Sequence, residues 1–196
     1  MGTSDVPRPI ARVVAALSCA LLLTSCAEVG DVVSGDRTRY VVSGASMEPT
    51  IPAGTRVWGS RVDEGFSPAR GQVVVYAPPA AWGPIAEALA HRVIGLPGET
   101  VMCCASDGSL VLDGQPLVEG YLAEQEDCNG PMVSLCRDDW SVTVPEGHVF
   151  LMGDNRAYAA DSSDQICPPA AGEARCAEHA NDPFVPISSI IAVLDP

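Results

Sequence analysis

The sequence contains no lysine, so none of its chemistry can depend on a lysine amine. Its 11 basic residues are all arginine, they face 25 Asp and Glu, and the formal net charge is −14. Nucleic acid binding relies on basic side chains that neutralise phosphates, so this balance argues against a nucleic acid partner. It argues equally against electrostatic adhesion to anionic lipid.

Long amphipathic runs are scarce, whereas Gly (18) and Pro (17) are frequent. This combination favours short strands joined by many turns. A chain of 196 residues is long enough to bury a real core and is expected to form one main domain. We therefore predict a mostly β protein with small helical content.

No Cys-x-x-Cys pair occurs among the eight cysteines, which argues against a zinc site, and we expect neither a metal nor a cofactor. Six cysteines lie in the body of the chain, and an even number favours disulfides in an exported protein. Adjacent Cα atoms lie about 3.8 Å apart across a trans peptide, below the usual disulfide range, so neighbouring cysteines are not expected to pair. The expected pairs are Cys167 with Cys176, and Cys103 and Cys104 with Cys128 and Cys136 in either order.

The first 26 residues are typical of an export signal. Arg8 and Arg12 precede about 13 apolar or small residues, the length of a signal-peptide core and short for a membrane span of roughly 20. The segment ends in the sequence LTSC, which resembles a bacterial lipobox. We predict that 1–26 is a signal peptide and that Cys26 carries lipid, with an uncleaved signal anchor as the alternative.

The chain after Cys26 divides into a tether and a main domain. Residues 27–38 are polar and contain glycine, and from there short β-like runs alternate with turns up to the C-terminal strand. We predict a domain over 39–196 with Cys-containing insertions at 118–141 and 162–182. A short helix is expected around Ile85 and Leu89.

Three stretches point to chemistry. The first is SGASMEPT at 43–50, in which Ser46 lies between a Gly/Ala turn and a Met-x-Pro-Thr sequence. The second is HRVIGLPGE at 91–99, and the third is MGDNR at 152–156, which runs on to Asp161. Taken alone, the first stretch is an ordinary surface turn as readily as the seat of a nucleophile.

All three stretches, in this order and at these separations, resemble the sequence boxes of type I signal peptidases, serine proteases that remove signal peptides from exported proteins. The resemblance covers roughly residues 39–194. It implies two antiparallel β-sheets, signal-peptide-bearing preproteins as partners and contact with membrane lipid. It also implies a location on the extracytoplasmic face of the bacterial cell membrane, and we expect a monomer.

The resemblance implies that Ser46 is the nucleophile, whose hydroxyl needs a neighbouring base. Bacterial members usually have lysine at the position of His91, whereas the endoplasmic-reticulum and archaeal branch has histidine there. His91 is therefore the expected base, since the pKa of an unperturbed imidazole lies near 6.5. A carboxylate commonly orients such a histidine, and Asp161 is the first choice for that role and Asp154 the second.

Three neighbouring positions depart from the family's pattern. Gly44 stands where some members have a serine that assists the oxyanion. Ala159 replaces a serine that hydrogen-bonds the lysine, and Ser163 replaces an arginine that pairs with the aspartate. The last two changes fit a site without lysine and would leave Asp161 free to face His91. They equally fit the loss of catalysis.

The resemblance also implies a groove for an extended peptide with small side chains one and three residues before the cut. Gly44, Met47 and Pro49 are expected to shape the turn and line this region. The candidate strand edges for the peptide are residues 40–44 and the strand near Val74.

An apolar surface that dips into lipid is a further expectation. Ile51, Trp58 and Trp82 are its candidates, and the loop of Trp82 is the better one, because core packing is the more ordinary fate of Trp58.

Two other functions compete with the peptidase. One is a catalytically inactive, signal-peptidase-like lipoprotein that binds signal-peptide-like segments without cutting them. The other is a dedicated processing peptidase with one narrow client, which the acidic surface and the Cys-containing insertions favour only weakly.

Overall fold

The computed structural model describes residues 1–2, 37–85, 88–122, 140–166 and 182–196. The predicted lipobox, most of the tether and the cysteines at 128, 136, 167 and 176 lie outside the described residues. Apart from the first two residues, everything described belongs to the compact unit Val33–Pro196. In the described part of the chain, no helix is both long and apolar enough to cross a membrane.

In the described residues, eleven strands form two antiparallel sheets, which confirms the predicted mostly β fold. In chain order they are β1 Arg37–Val42, β2 Thr55–Arg61, β3 Val73–Tyr76, β4 Leu89–Gly95, β5 Thr100–Cys103, β6 Val111–Leu112, β7 Gln115–Pro116, β8 Trp140–Thr143, β9 His148–Met152, β10 Val185–Pro186 and β11 Ile190–Asp195. The described helical structure consists of short 3₁₀ helices at Ala80–Trp82, Ser162–Gln165 and Ile187–Ser189.

The larger sheet has the strand order β1-β2-β11-β3-β4-β9-β10, and the smaller has the order β7-β6-β5-β8. The position of each strand explains its sequence. β3 reads Val-Val-Val-Tyr and is buried along its whole length, because it lies in the middle of the larger sheet and is covered on both faces. β1 lies at the edge and is mostly exposed.

The core divides into three clusters of buried apolar side chains. One packs Met47 and Ile51 against β2, β3 and β11. A second packs Tyr76 and Trp82 against β4 and β9. The third joins the two sheets through Phe150 and Trp140, whose ring centroids lie 5.8 Å apart. The turn that carries Ser46 is therefore anchored in the core by the residues that flank it.

Two expectations about local structure are wrong. Leu89 begins β4 rather than lying in a helix, because it pairs with Tyr76 in the sheet. Cys103 and Cys104 form a disulfide with each other. Their peptide bond is cis, which brings the two Cα atoms to 3.0 Å instead of the trans separation on which the expectation rested.

The predicted insertions at 118–141 and 162–182 lie mostly outside the described residues, and their bounds stay a prediction. Trp140 is buried in β8, although it was included in the first insertion. Residues 162–165 form a largely buried 3₁₀ helix against β9. Trp140 packs against Phe150 of β9, and the 3₁₀ helix also contacts β9, so both segments join the core.

Candidate active site

Ser46 lies in the turn between β1 and β2, where it is half-buried. The turn is closed by hydrogen bonds from Glu48 N–H to Ala45 O (3.2 Å) and from Ile51 N–H to Met47 O (2.8 Å). Met47 and Ile51 are almost completely buried, so their side chains fix the turn to the core. The local sequence thus uses its apolar residues as anchors and leaves the serine at the surface of the site.

The loop that follows β9 holds the backbone of this turn. Asn155 N–H donates to Ser46 O (2.9 Å), and the Asn155 side-chain amide donates to Ala45 O (3.2 Å). Gly153 lies so close that a Cβ atom there would approach the Ser46 carbonyl oxygen to 2.5 Å. The first and third sequence motifs therefore meet through direct backbone contact, and the glycine is required for it.

His91 is the third residue of β4 and is only 2% exposed. Tyr76 lies opposite Leu89, two residues from His91, so the two side chains project from the same face of the sheet. The Tyr76 hydroxyl lies 2.9 Å from His91 Nδ1, and the ring centroids are 5.8 Å apart.

The second ring nitrogen of His91, Nε2, has no hydrogen-bond partner in the described ranges. Among the described side chains, the indole nitrogen of Trp140 is the one polar atom that is sealed from solvent without a partner. The hydrogen bond to Tyr76 through Nδ1 is thus the contact that fixes the ring.

Burial lowers the pKa of His91 to about 4, and the nearby charge of Asp154 only partly opposes this effect. Desolvation disfavours the protonated ring because an imidazolium loses more hydration than a neutral imidazole. His91 is consequently neutral at neutral pH, which is the state a proton acceptor requires.

Asp154 is completely buried and lies between the Ser46 turn and β4. One carboxylate oxygen accepts from Arg92 Nε (2.8 Å), and the other accepts from Arg92 Nη2 and from the Thr50 hydroxyl. The Arg92 guanidinium is further held by Gly71 O and lies 4.0 Å from the centroid of the Tyr121 ring. This bidentate pair ties the second motif to the other two.

Asp161 caps the 3₁₀ helix at 162–165 and accepts three hydrogen bonds. They come from Gly153 N–H (2.9 Å), Ser163 N–H (2.9 Å) and the Ser163 hydroxyl (2.6 Å). Burial raises the pKa of Asp161, and these hydrogen bonds act in the opposite direction. Asp161 is thus not freed by the loss of arginine at position 163, because the serine itself binds the carboxylate.

The hydrogen-bond partner of His91 is the hydroxyl of Tyr76. Neither Asp161 nor Asp154 hydrogen-bonds the ring in the described part of the chain. Asp154 does lie near enough to act on the imidazole charge, and Asp161 raises the pKa of Tyr76 in addition to the larger effect of burial. The orienting role of either aspartate stays a prediction.

Arg156 braces the same loop from behind. Its side chain is fully buried, forms an ion pair with the equally buried Glu119 and donates from Nε to Gly153 O (3.0 Å). These contacts hold the backbone of the loop at Gly153.

The three residues predicted to meet substrate differ in exposure. Gly44 is exposed, and a Cβ atom there would have nothing within 4 Å. Pro49 is exposed and follows a cis peptide bond. Met47 is 0% exposed, so it supports the turn but offers a peptide no surface in this state.

One predicted strand edge lies where a peptide can reach it and the other does not. In the described ranges β1 pairs with β2 on one side only, so its other edge is accessible. The expectation for the strand near Val74 is wrong, because β3 is paired on both sides by β11 and β4.

The expected lipid-facing surface is also wrong for two of its three residues. Ile51 is 1% exposed, and Trp82 is 9% exposed, with its indole N–H donating to Asp182 O (2.8 Å). Trp58 is half-buried and lies under the guanidinium groups of Arg37 and Arg39, at 5.8 and 4.5 Å from the ring centroid. Trp82 was misassigned because the sequence alone does not reveal which loops fold inward.

In the described ranges, no cluster of three or more His, Cys, Asp and Glu side chains is suited to a metal ion. Sequence reasoning missed Tyr76, Thr50 and Glu119, which contact the site from separate parts of the chain. Tyr76 ends a run of valines and carries no motif, so no local signal distinguished it from a core residue.

Comparison with known proteins agrees with the assembled motifs. The sequence profile of the family described as "Signal peptidase, peptidase S26" matches residues 11–192. A probable signal peptidase I-1 from Synechocystis is 38% identical in an alignment of 129 residues that covers 63% of this chain and 60% of that protein. Signal peptidase I from Mycobacterium tuberculosis is 30% identical in an alignment of 187 residues that covers 78% of this chain and 61% of that protein.

Among solved structures, a signal peptidase I from Enterococcus faecalis is 28% identical, with a TM-score of 0.45, over 66% of this chain and 98% of that one. The chain spans about six tenths of the length of the two curated relatives. Because the family profile covers nearly the whole sequence and the three motifs converge on one site, the chain belongs to the signal peptidase family, peptidase S26.

Proposed function

We propose that this chain is a membrane-associated serine endopeptidase that removes signal peptides from exported preproteins, with Ser46 as nucleophile and His91 as general base. The observation that carries the proposal is the convergence of the motifs. Asn155 N–H holds the carbonyl of Ser46, and Asp154 joins the same loop to the strand of His91. An accessible serine and a neutral imidazole thereby belong to one braced unit.

In the proposed reaction, Ser46 Oγ attacks the scissile carbonyl carbon while its proton passes to His91 Nε2. The carbon–nitrogen bond then breaks, and the imidazolium returns the proton to the leaving amine, which leaves an acyl-enzyme. Water attacks the acyl carbon, its proton goes to Nε2, and Ser46 recovers a proton as the new carboxyl end departs. The base is neutral before each attack, as the lowered pKa of His91 requires.

The backbone N–H of Ser46 is the proposed oxyanion donor. A serine two residues earlier would add a second donor, but Gly44 has no hydroxyl. Asp154 favours the imidazolium through its charge, although it bonds Arg92 rather than the ring. Asp161 holds Gly153 N–H and thereby the loop that positions Ser46.

The remaining assignments extend the proposal. We assign the enzyme to the extracytoplasmic face of the bacterial cell membrane, held by lipid on Cys26 or by an N-terminal signal anchor, and acting as a monomer. Preprotein segments with small residues one and three before the cut would lie along the edge of β1 near Gly44 and Pro49.

A non-catalytic function competes for one specific reason. No hydrogen bond joins Ser46 to His91 in the described ranges, and the ring's one partner is Tyr76. A signal-peptidase-like lipoprotein that binds peptides without cutting them would need the accessible edge of β1 but no activated serine. Catalytic hydrogen bonds are often formed only when substrate is bound, so this arrangement is also compatible with an active enzyme.

The test is cleavage of a membrane-bound preprotein by the full chain between pH 3.5 and 9, compared with Ser46→Ala and His91→Ala. We expect cleavage after a small-x-small sequence and a loss of about 10³-fold or more in each variant. The acid limb of kcat/KM should lie near pH 4, because burial has lowered the pKa of His91 to about 4.

Each other outcome rejects a part of the proposal. Activity that survives His91→Ala excludes this histidine as the base. Activity that survives Ser46→Ala excludes the nucleophile. A parent that binds the preprotein but leaves it intact in both detergent and lipid supports the non-catalytic lipoprotein instead.

A further inference from the structure

We propose that the Tyr76 hydroxyl, rather than a carboxylate, positions the catalytic imidazole by accepting a hydrogen bond from His91 Nδ1–H, which leaves Nε2 as the basic atom. This inference rests on the proposed function. It adds a positioning residue that lies outside all three sequence motifs, on β3.

The geometry singles out Tyr76. Its oxygen lies 2.9 Å from Nδ1, and both side chains are buried. The phenol ring is fixed in turn by an edge-on contact with Trp82, at 6.3 Å between centroids, and the strand around it is completely buried. A hydroxyl held this rigidly fixes the plane of the imidazole.

The carboxylates that might replace it are already engaged. Asp161 receives its hydrogen bonds from Gly153 and Ser163, and Asp154 receives its bonds from Arg92 and Thr50. The titratable groups that face His91 are Tyr76 from β3 and Asp154 from the loop after β9. Arg92, on the same strand as His91, binds Asp154. Asp161 acts on Tyr76, whose pKa it raises. Of these groups, only Tyr76 makes a hydrogen bond to the ring.

The tautomer follows from the roles of the two nitrogens. A neutral imidazole has one N–H donor and one acceptor. Nε2 is the ring nitrogen without a partner in the described ranges, so it is the nitrogen left to take a proton from a serine hydroxyl. It can accept a proton only if Nδ1 carries the hydrogen, and the phenol oxygen can accept from Nδ1–H in both the neutral and the protonated ring.

Tyrosine also differs from aspartate in what it does to the base. A carboxylate would stabilise the imidazolium by its full charge, whereas a neutral phenol orients the ring without that effect. Burial keeps the phenol protonated, because it raises the pKa of Tyr76 well above its usual value. Tyr76 is thus suited to hold the ring and unsuited to take the proton itself.

The first test reads the tautomer without turnover. The full chain with Ser46→Ala is labelled with ¹⁵N-histidine, and the ring nitrogens are observed by long-range correlation at pH 7. The chain has three histidines, so His91→Gln identifies the signals. We expect His91 to be protonated at Nδ1, and Tyr76→Phe to convert it to a mixture of tautomers. If His91 in the Ser46→Ala chain is instead protonated at Nε2, the proposal is overturned.

The second test uses cleavage, with Tyr158→Phe, at an exposed tyrosine, as the matched control. Tyr76→Phe keeps the aromatic packing and removes one oxygen. We expect kcat to fall roughly 10- to 100-fold, with KM unchanged, because the ring loses its fixed orientation. The acid limb should move to lower pH, because the imidazolium loses an acceptor at Nδ1.

Two kinetic outcomes reject the inference: an unchanged kcat, or an acid limb that moves to higher pH, which would mean that the hydroxyl donates to Nδ1. A parent that does not cleave, or a Ser46→Ala variant that still does, instead rejects the proposed function. The tautomer remains readable in that case, so the two failures are distinguishable.

Discussion

Arg156 and His91 are both buried near the Gly153–Asn155 loop, and the protein accommodates these two basic side chains in opposite ways. Arg156 is 1% exposed, and the charged Glu119 partners it. His91 is 2% exposed, and among the described residues its hydrogen-bond partner is the neutral hydroxyl of Tyr76. An arginine cannot give up its proton, so burial demands a carboxylate, whereas an imidazole responds to burial by losing its charge. The charged Arg156–Glu119 pair therefore braces the loop, whereas His91, the proposed base, stays neutral.

The largest expected effect comes from breaking the buried ion pair. Arg156→Met should reduce the free energy of unfolding by about 3–5 kcal/mol, because Glu119 is left charged and unpaired inside the protein. Urea unfolding at pH 7.5 measures this loss. The double variant Arg156→Met/Glu119→Gln should recover a large part of it. An equal loss in the single and double variants would show that packing, not charge, makes Arg156 important.

The next effect tests the neutral side of the comparison. The pKa of His91 is about 4 when folded, below its ordinary 6.5, so between these values the unfolded chain binds a proton that the folded one does not. Stability should be intact above pH 6.5, fall by about 3 kcal/mol as the pH drops to 4, and change no further through His91 below that.

Urea unfolding of the parent and of His91→Gln at pH 7, 6, 5 and 4 measures this effect. The variant should show a much flatter dependence over this window. Identical slopes in the two proteins would mean that His91 is not buried as a neutral ring. The acidic residues titrate in both proteins and are therefore cancelled by the comparison.

A smaller effect is expected where the loop meets the Ser46 turn. Gly153→Ala would place a Cβ atom 2.5 Å from the Ser46 carbonyl oxygen, which forces the loop and the turn apart. We expect a loss of roughly 1–3 kcal/mol in unfolding free energy. Gly44→Ala is the control for stability, since its Cβ atom would have open space. Similar losses at both positions would contradict the close approach.

The smallest effect should come from an exposed ion pair, the surface counterpart of Arg156 and Glu119. Arg37 and Asp195 pair with side chains that are 46% and 54% exposed. Arg37→Ala should therefore change the unfolding free energy by less than about 1 kcal/mol, and by less again in 0.5 M NaCl. A change as large as that in Arg156→Met would remove the distinction between buried and exposed pairs.

The sequence predicted the strands well because their apolar runs are short and bounded by Gly and Pro. It failed where tertiary contact decided the outcome. Trp82 was assigned to lipid but is drawn into the core by Tyr76 and Asp182. The separation expected for Cys103 and Cys104 assumed a trans peptide, and the bond is cis.

The site shows the same division. The positions of Ser46, His91, Asp154 and Asp161 within the motifs named the candidates, but not which of them touch. Asp161 was expected to face His91, and it binds Gly153 and Ser163 because a buried N–H and a neighbouring hydroxyl compete for its oxygens. Tyr76 was not a candidate at all.

The sequence by itself determined the family and its three motifs, the absence of any lysine amine, and the strand-rich fold. These properties depend on residue type and spacing, which are local. Only the tertiary structure decided that His91 is neutral and bound to Tyr76, and that the aspartates hold the loop. Burial and hydrogen-bond partners depend on residues far apart in the chain, and these contacts exist only once β3, β4 and β9 lie side by side.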